Sequence, residues 1–241
     1  MLDSPFMAGH PGPDTVTVLW CAADADERQR AHALLLGAAA ELLGVAPSAL
    51  RMEHEPSGRP VVTGAAQGLR VSVSHGRGVI AVALARSVAV GVDVEAVRPL
   101  RAATLARRWF HPQEADWLAA LPQAQWNAAY LWLWTQKEAV GKSLGSGLRD
   151  GGMRRRMAVP PSGLFAAGPP VAPAAHLPGG DLRGDGRCGD GPAHGPVLAP
   201  LPGDPRTAAG AVVLDGGTVV LGVAAHGVGG DGVRVALRHG G

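Results

Sequence analysis

The chain is poor in the residue types that mark extracellular, membrane and nucleic-acid-binding proteins. Only two cysteines occur in 241 residues, Cys21 and Cys188, and their spacing fits neither a disulfide framework nor a zinc site. No uncharged apolar run is long enough to span a bilayer, and the first residues lack the basic start of a signal peptide. The 22 basic and 20 acidic side chains nearly cancel, unlike the positive field of nucleic-acid binders. We therefore predict a cytoplasmic protein that binds neither membranes nor nucleic acid.

Lysine is scarce as well, and the two lysines present lie close together. Lys137 and Lys142 both fall in the stretch from Trp134 to Lys142, and every other strong base is arginine. An ammonium group on a flexible stem can approach a phosphate or move a proton in ways that a planar guanidinium cannot. Glu138 precedes Lys142 by four residues, so on a helix the two side chains share one face. This pattern indicates either a reactive acid and base or an ordinary ion pair contributing about 0.2–0.5 kcal/mol.

Hydrophobic periodicity predicts both helices and strands. The predicted helices are 26–43, 102–109, 112–121 and 125–143, and the predicted strands are 15–19, 69–73, 79–85, 88–95, 211–214, 218–225 and 232–237. The stretch 151–205 is rich in Gly, Pro and Ala and shows no sustained period. We predict most of it to be a long loop that is either disordered or carries short strands hidden by its composition.

Three carboxylates are candidates for a metal site. Asp93 and Glu95 lie on one face of the predicted strand 88–95, opposite a row of valines, and Glu138 lies on a predicted helix. Carboxylate oxygens suit a hard divalent cation, and Mg²⁺ fits best because it is commonly held by carboxylates together with substrate phosphates. The alternative is that Asp93 and Glu95 form only the solvent-facing side of a strand.

A turn between two predicted strands has the composition of an anion site. Ser74 and His75 offer an O–H and an N–H donor, and two glycines close behind them allow the backbone to approach a phosphate. Arg59, in the turn Ser-Gly-Arg-Pro, is able to add a bidentate contact. The alternative for each of these side chains is a solvated loop position.

Five short motifs follow one another between about residues 50 and 150. They are Ser-Gly-Arg-Pro at 57–60, Val-Ser-Val-Ser-His at 71–75, Gly-Val-Asp-Val-Glu at 91–95, Arg-Trp-Phe…Glu at 108–114 and Trp-Thr-Gln-Lys-Glu-Ala…Lys at 134–142. In this order and spacing they resemble the 4′-phosphopantetheinyl transferase superfamily, in its larger, monomeric, surfactin-synthetase-activating type.

The resemblance implies an α+β fold, a pseudodimer of two similar α/β halves with mainly antiparallel sheets and the active site in the cleft between them. The halves would be 1–87, with the coenzyme A phosphate contacts, and 88–241, with the magnesium site and the insertion 151–205. The implied activity is the transfer of the 4′-phosphopantetheine arm of coenzyme A to a serine of an acyl or peptidyl carrier protein, with release of adenosine 3′,5′-bisphosphate. The implied cofactor is Mg²⁺, with Mn²⁺ as a substitute.

The resemblance also implies roles for individual residues. Asp93, Glu95 and Glu138 would be the metal ligands. The residues that would contact coenzyme A are Arg51, Arg59, Ser74, His75 and Lys142. Lys142 would lie against the diphosphate or transfer a proton, and Lys137 would either only match the family pattern or face solvent.

Two questions remain open at the level of sequence. The base that deprotonates the carrier serine is either Glu138 or a metal-bound water positioned by Glu114, which matches a further acidic position of the family. The second question is whether turnover occurs, because the first helix offers few bases for a 3′-phosphate. Alternatives to the transferase are a metal-dependent phosphodiester hydrolase and a non-catalytic homologue that binds coenzyme A or a carrier protein.

Overall fold

A computed structural model describes residues 15–23, 26–66, 68–149, 151–160, 193–229 and 232–240. Within these ranges the helices are α1 Glu27–Leu43, α2 Ala102–Trp109, α3 Pro112–Ala119 and α4 Trp126–Leu144. The strands are β1 Thr15–Ala22, β2 Leu50–His54, β3 Pro60–Gly64, β4 Arg70–Gly76, β5 Val79–Ala85, β6 Ala89–Ala96, β7 Ala193–His194, β8 Ala199–Leu201, β9 Asp204–Leu214, β10 Val219–His226 and β11 Arg234–His239. The predicted α+β class is confirmed. None of the described helices is both long and apolar enough to cross a bilayer.

The strands form two main sheets and one separate hairpin. The first sheet has the order β4-β5-β1-β11-β7 and the second the order β6-β10-β9-β8, while β2 pairs with β3. The neighbouring strands are antiparallel except for β1 and β11, which are parallel. The prediction of mainly antiparallel sheets is therefore confirmed.

The two sheets pack face to face, and each carries helices on its outer side. The core between the sheets is rich in valine because β6 directs Val90, Val92 and Val94 inward, against apolar side chains of β1 and β5. Helix α1 covers the outer face of the first sheet, and α2, α3 and α4 cover that of the second. Alternation along β6 therefore turns Asp93 and Glu95 away from the valine core, toward the side covered by α4.

The first sheet takes strands from both ends of the chain. The predicted boundary between Ser87 and Val88 separates β5 from β6, which lie in different sheets. However, β11 pairs with β1 along its whole length, from Thr15 opposite Arg234 to Trp20 opposite His239. The sheet that begins with the predicted first half is thus completed by residues of the predicted second half.

Two glycines allow α4 to lie directly on the second sheet. A Cβ atom at Gly91 in β6 would overlap the carbonyl oxygen of Ala139, and one at Gly222 in β10 would overlap the carbonyl group of Thr135. Both helix residues are in α4, next to Gln136 and Val140, which are buried. The absence of side chains at these glycines sets the height of α4, and hence of Glu138, above β6.

We expect Gly91→Ala to destabilise the protein, by about 1–3 kcal/mol, because the added methyl group pushes α4 away from the sheet. Gly37→Ala is the matched control: Gly37 lies on the exposed side of α1 with no atom within 4 Å of the added Cβ, so the substitution should stabilise by up to about 1 kcal/mol. Urea unfolding of both variants measures the difference. Equal stability of the two variants would contradict the close approach of α4.

The structure confirms all four predicted helices, with ends within two residues of the prediction. Two stretches differ from the strand prediction. The stretch 50–64, for which no strand was predicted, is the β2–β3 hairpin, with Gly58 in a left-handed conformation at φ 85°. The predicted turn 74–78 is shorter, because β4 continues through Ser74 to Gly76.

The stretch 151–205, predicted as a long loop that is either disordered or carries short strands, lies only partly within the described residues. Its residues 161–192 lie outside the described residues, while 193–205 contain β7, β8 and the start of β9. In this last part the structure has the short strands that the sequence left open as an alternative. Its short strands escaped detection because Pro200 lies in an edge strand, beside a register shift at Leu201, which hides the period of two.

Candidate functional site

The candidate site lies where the end of β6 meets the last turns of α4. Helix α4 is apolar along most of its length and is buried against β6 and β10. Glu138 and Lys142 occupy successive turns near its end, and Gly145 ends the helix in a left-handed conformation at φ 72°. Because β6 turns Asp93 toward α4, the helix places Lys142 directly beside it.

Asp93 is hydrogen-bonded to both strand β4 and helix α4 at the site. It is 7% exposed, and its Oδ1 atom accepts hydrogen bonds from Lys142 Nζ at 2.8 Å and from Ser74 Oγ at 2.7 Å. Lys142 Nζ also donates to the carbonyl oxygen of Val92 at 2.9 Å. The second carboxylate oxygen, Asp93 Oδ2, is buried and has no hydrogen-bond partner among the described residues. A buried oxygen with its lone pairs unused is costly unless a further group binds it.

The predicted carboxylates lie within electrostatic reach of one another. Burial raises the pKa of Glu138, the negative charge of Asp93 and, more weakly, that of Glu95 raise it further, and Lys142 opposes the shift. Glu95 Oε2 accepts a hydrogen bond from Arg98 Nη1 at 2.6 Å. The structure thus brings Asp93, Glu95 and Glu138 into one region, with a cation beside two of them.

The donor set fits a hard divalent cation. All three side chains are carboxylates, the ligands that Mg²⁺ prefers, and Asp93 Oδ2 retains unused lone pairs. In the described part of the chain, no three His, Cys, Asp or Glu side chains are already arranged as a metal cage. Lys142 and Arg98 pair with two of the carboxylates and supply positive charge there.

The predicted anion contacts occupy different surroundings. His75, at the end of β4, keeps 43% of its side chain exposed and has Nδ1 3.7 Å from Glu27 Oε2. Arg59 donates from Nη2 to the carbonyl oxygen of Ser143, in the last turn of α4, at 3.2 Å, and so links the β2–β3 hairpin to the helix of the site. Arg51 is exposed on β2, and no described hydrogen bond or ion pair joins it to the site.

Ser74 does not have the surroundings of a surface phosphate contact. Its side chain is buried, at 7% exposure, and its hydroxyl group donates to Asp93. The prediction that it stands in a turn is wrong, because it lies within β4.

Glu114 and Lys137 form a buried ion pair. Lys137 is fully buried and Glu114 is 1% exposed, with Nζ at 3.0 and 2.7 Å from the two carboxylate oxygens. Glu114 also accepts hydrogen bonds from the backbone N–H groups of His111, at 3.1 Å, and Met157, at 2.7 Å. Burial lowers the pKa of Lys137, and Glu114 opposes that shift.

These contacts bear on two sequence predictions, and they exclude the alternative that Lys137 faces solvent. The ammonium of Lys137 lies 4.9 Å from the ring centre of Phe110. Glu114, which the resemblance places near the metal or its water, has its two oxygens bonded to Lys137 and two backbone N–H groups and is closed to solvent. The sequence offered no way to pair Lys137 with an acid 23 positions away.

Known proteins match the part of the chain that contains this site. A family model described as the 4′-phosphopantetheinyl transferase superfamily matches residues 89–160. The 4′-phosphopantetheinyl transferase HetI of Nostoc sp. is 33% identical over 109 residues, covering 44% of this chain and 46% of the relative. The 4′-phosphopantetheinyl transferase of Bacillus subtilis is 27% identical over 163 residues, covering 61% and 69%.

A putative 4′-phosphopantetheinyl transferase of Synechocystis sp. is 30% identical over 114 residues, covering 46% of each chain. The chain thus spans slightly less than half the length of two of these relatives. The matched residues include β6 and α4, which carry Asp93, Glu95, Glu138 and Lys142. The family model and the named relatives thus agree that the part of the chain carrying this site is similar to the 4′-phosphopantetheinyl transferase superfamily.

Proposed function

We propose that this chain transfers the 4′-phosphopantetheine arm of coenzyme A to a serine hydroxyl of an acyl or peptidyl carrier protein. The observation that carries the proposal is the meeting of Asp93, Lys142 and Glu138 within the matched region. In the reaction, the serine oxygen forms a bond to the phosphorus atom that bears the pantetheine arm. The bond from that phosphorus to the bridging oxygen breaks, and adenosine 3′,5′-bisphosphate leaves.

Asp93, Glu95 and Glu138 would hold Mg²⁺, or Mn²⁺ in its place. The cation supplies neutralisation of charge on the diphosphate oxygens. Support comes from the unused Asp93 Oδ2 and from the mutual influence of the three carboxylates. Lys142, with 30% of its side chain exposed beside Asp93, is placed to bind a phosphate oxygen of the same diphosphate.

The serine proton needs an acceptor, and we assign this role to Glu138. The assignment rests on position, because Glu138 lies one helical turn before Lys142 on α4, on the side that faces Asp93. Glu114 is not placed for this role, because Lys137 and two backbone N–H groups already occupy its oxygens.

The phosphates of coenzyme A would be held from the first sheet. The His75 imidazole is exposed at the end of β4, and Arg59 uses one of its five N–H donors on Ser143, which leaves donors for a phosphate. Ser74 on β4 donates a hydrogen bond to Asp93 on β6, and these two strands belong to different sheets. The proposed phosphate contact of His75, on β4, therefore lies across the junction between the sheets from the carboxylates of β6. This arrangement supports the larger, monomeric type of the family, with a site in the cleft between two similar halves.

The test is incubation with apo carrier protein, coenzyme A and Mg²⁺, followed by mass spectrometry of the carrier. We expect one phosphopantetheine adduct on the carrier serine and an equal amount of adenosine 3′,5′-bisphosphate. Fatty-acid, polyketide and peptide carriers should all be tried, with a serine-to-alanine carrier as the control. No adduct on any carrier would overturn the proposal. Bisphosphate release without adduct would indicate a hydrolase instead.

A further inference from the structure

Two serine hydroxyl groups join the two sheets at one edge. Ser72 and Ser74 lie on β4 and are 4% and 7% exposed. Ser72 Oγ accepts a hydrogen bond from the backbone N–H of Val92 at 3.1 Å, and Ser74 Oγ accepts one from that of Val94 at 3.4 Å. Both valines are in β6, the edge strand of the second sheet. Side-chain hydroxyls thus satisfy N–H groups that a neighbouring strand would otherwise bind.

The two serines differ in one contact. Ser74 also donates its hydroxyl hydrogen to Asp93 Oδ1 at 2.7 Å. No hydrogen bond from Ser72 to a carboxylate is found among the described residues. Ser72 and Ser74 therefore contribute comparable sheet-to-sheet bonds, and only Ser74 acts on the carboxylate of the candidate site.

The Ser74 contact restricts how Asp93 presents its oxygens. With Ser74 and Lys142 both bound to Oδ1, the carboxylate is held by one oxygen, and Oδ2 is left without a protein partner. A hydrogen bond to one oxygen of a ligating carboxylate fixes its orientation, and loss of such a partner typically lowers metal affinity about 10–100-fold.

We propose that Ser74 is a positioning residue that fixes Asp93 so that Oδ2 is available to the divalent cation. This replaces the phosphate contact that the family resemblance implies for Ser74. The inference rests on the cation site of the proposed function.

The test measures Mn²⁺ binding by electron paramagnetic resonance of the free ion, with the whole chain and without coenzyme A or carrier protein. We expect Ser74→Ala to weaken Mn²⁺ binding about 10-fold or more. Ser72→Ala, the matched control, should bind Mn²⁺ like the wild type while losing similar thermal stability. Ser74→Thr, which keeps the hydroxyl group, should restore binding.

A second measurement separates positioning from phosphate binding. Coenzyme A affinity is measured by calorimetry in the presence of a chelator, and Ser74→Ala should bind coenzyme A like the wild type. Equal Mn²⁺ binding by the two alanine variants, or a loss of coenzyme A affinity in Ser74→Ala without metal, would overturn the positioning role alone. Failure of the wild-type chain to bind Mn²⁺ would overturn both this inference and the cation site of the proposed function.

Discussion

Replacing Lys137 with methionine is expected to lower the free energy of unfolding by about 3–5 kcal/mol, because it leaves the Glu114 carboxylate buried without its cation. The two backbone N–H groups that remain on Glu114 do not supply a compensating charge. Methionine keeps the length of the side chain, so the loss reports the ammonium group, which also donates to the carbonyl oxygen of Arg155, rather than a cavity. Urea denaturation measures the change in unfolding free energy. The comparison holds if the slope of that free energy against urea concentration is the same for the variant and the wild type.

The same experiment has an internal control at the surface. Arg238 and Glu41 form an ion pair with the similar separation of 2.8 Å, but their side chains are 44% and 61% exposed. Arg238→Met should therefore cost less than about 1 kcal/mol. The double variant Lys137→Met with Glu114→Gln should recover much of the lost stability, because glutamine removes the charge and keeps an acceptor oxygen. Equal losses of unfolding free energy in Lys137→Met and Arg238→Met would contradict the prediction that breaking the buried ion pair costs more than breaking the exposed one.

Glu138→Gln is expected to lower the rate of pantetheine transfer by at least about 100-fold, because the amide is neither a base nor a charged ligand. The substitution preserves size and should leave the fold intact. Burial and the charge of Asp93 raise the pKa of Glu138, so its ionised form is less favoured in the folded chain than in the unfolded one. Removing that charge should therefore leave the unfolding midpoint at pH 7 unchanged or raise it.

The readout is the initial rate of adduct formation by mass spectrometry, measured beside the thermal unfolding midpoint. Glu41→Gln on α1 makes the same chemical change at an exposed position and should leave the transfer rate unchanged. Transfer by Glu138→Gln at the wild-type rate would remove Glu138 from the site. A reduced rate together with a lower unfolding midpoint would indicate misfolding rather than lost chemistry.

The parts of the fold that sequence predicts best are those whose pattern is local. Strand β6 alternates strictly between valines and other residues, and α4 is a long apolar helix that ends at a glycine, so both were predicted close to their observed ends. The short strands β7 and β8 were not predicted. Their residues are few and include proline, and they are strands only because longer partners pair with them.

The residues of the candidate site fall into the same two groups, those that a local motif identifies and those whose role depends on the tertiary structure. Sequence motifs selected Asp93, Glu138 and Lys142, and the structure places them together on β6 and α4. The contact of Ser74 with Asp93 depends on how two sheets meet, which no local period encodes. The motif at 108–114 identifies Glu114 as an acidic position of the family. It does not reveal what Glu114 contacts, because its partner Lys137 lies on another helix.

The parallel pairing of β1 with β11 has a consequence for the order of folding. During synthesis, β1 emerges well before its partner β11, because the other described strands lie between them in sequence. Until then one edge of β1 has unpaired backbone groups that invite pairing with another chain. The nascent first sheet therefore stays incomplete until β11 has been made, and contacts so distant in sequence make folding slow. Removing β11, which begins at Arg234, would disturb the sheet that carries His75, although β11 lies far from His75 in sequence.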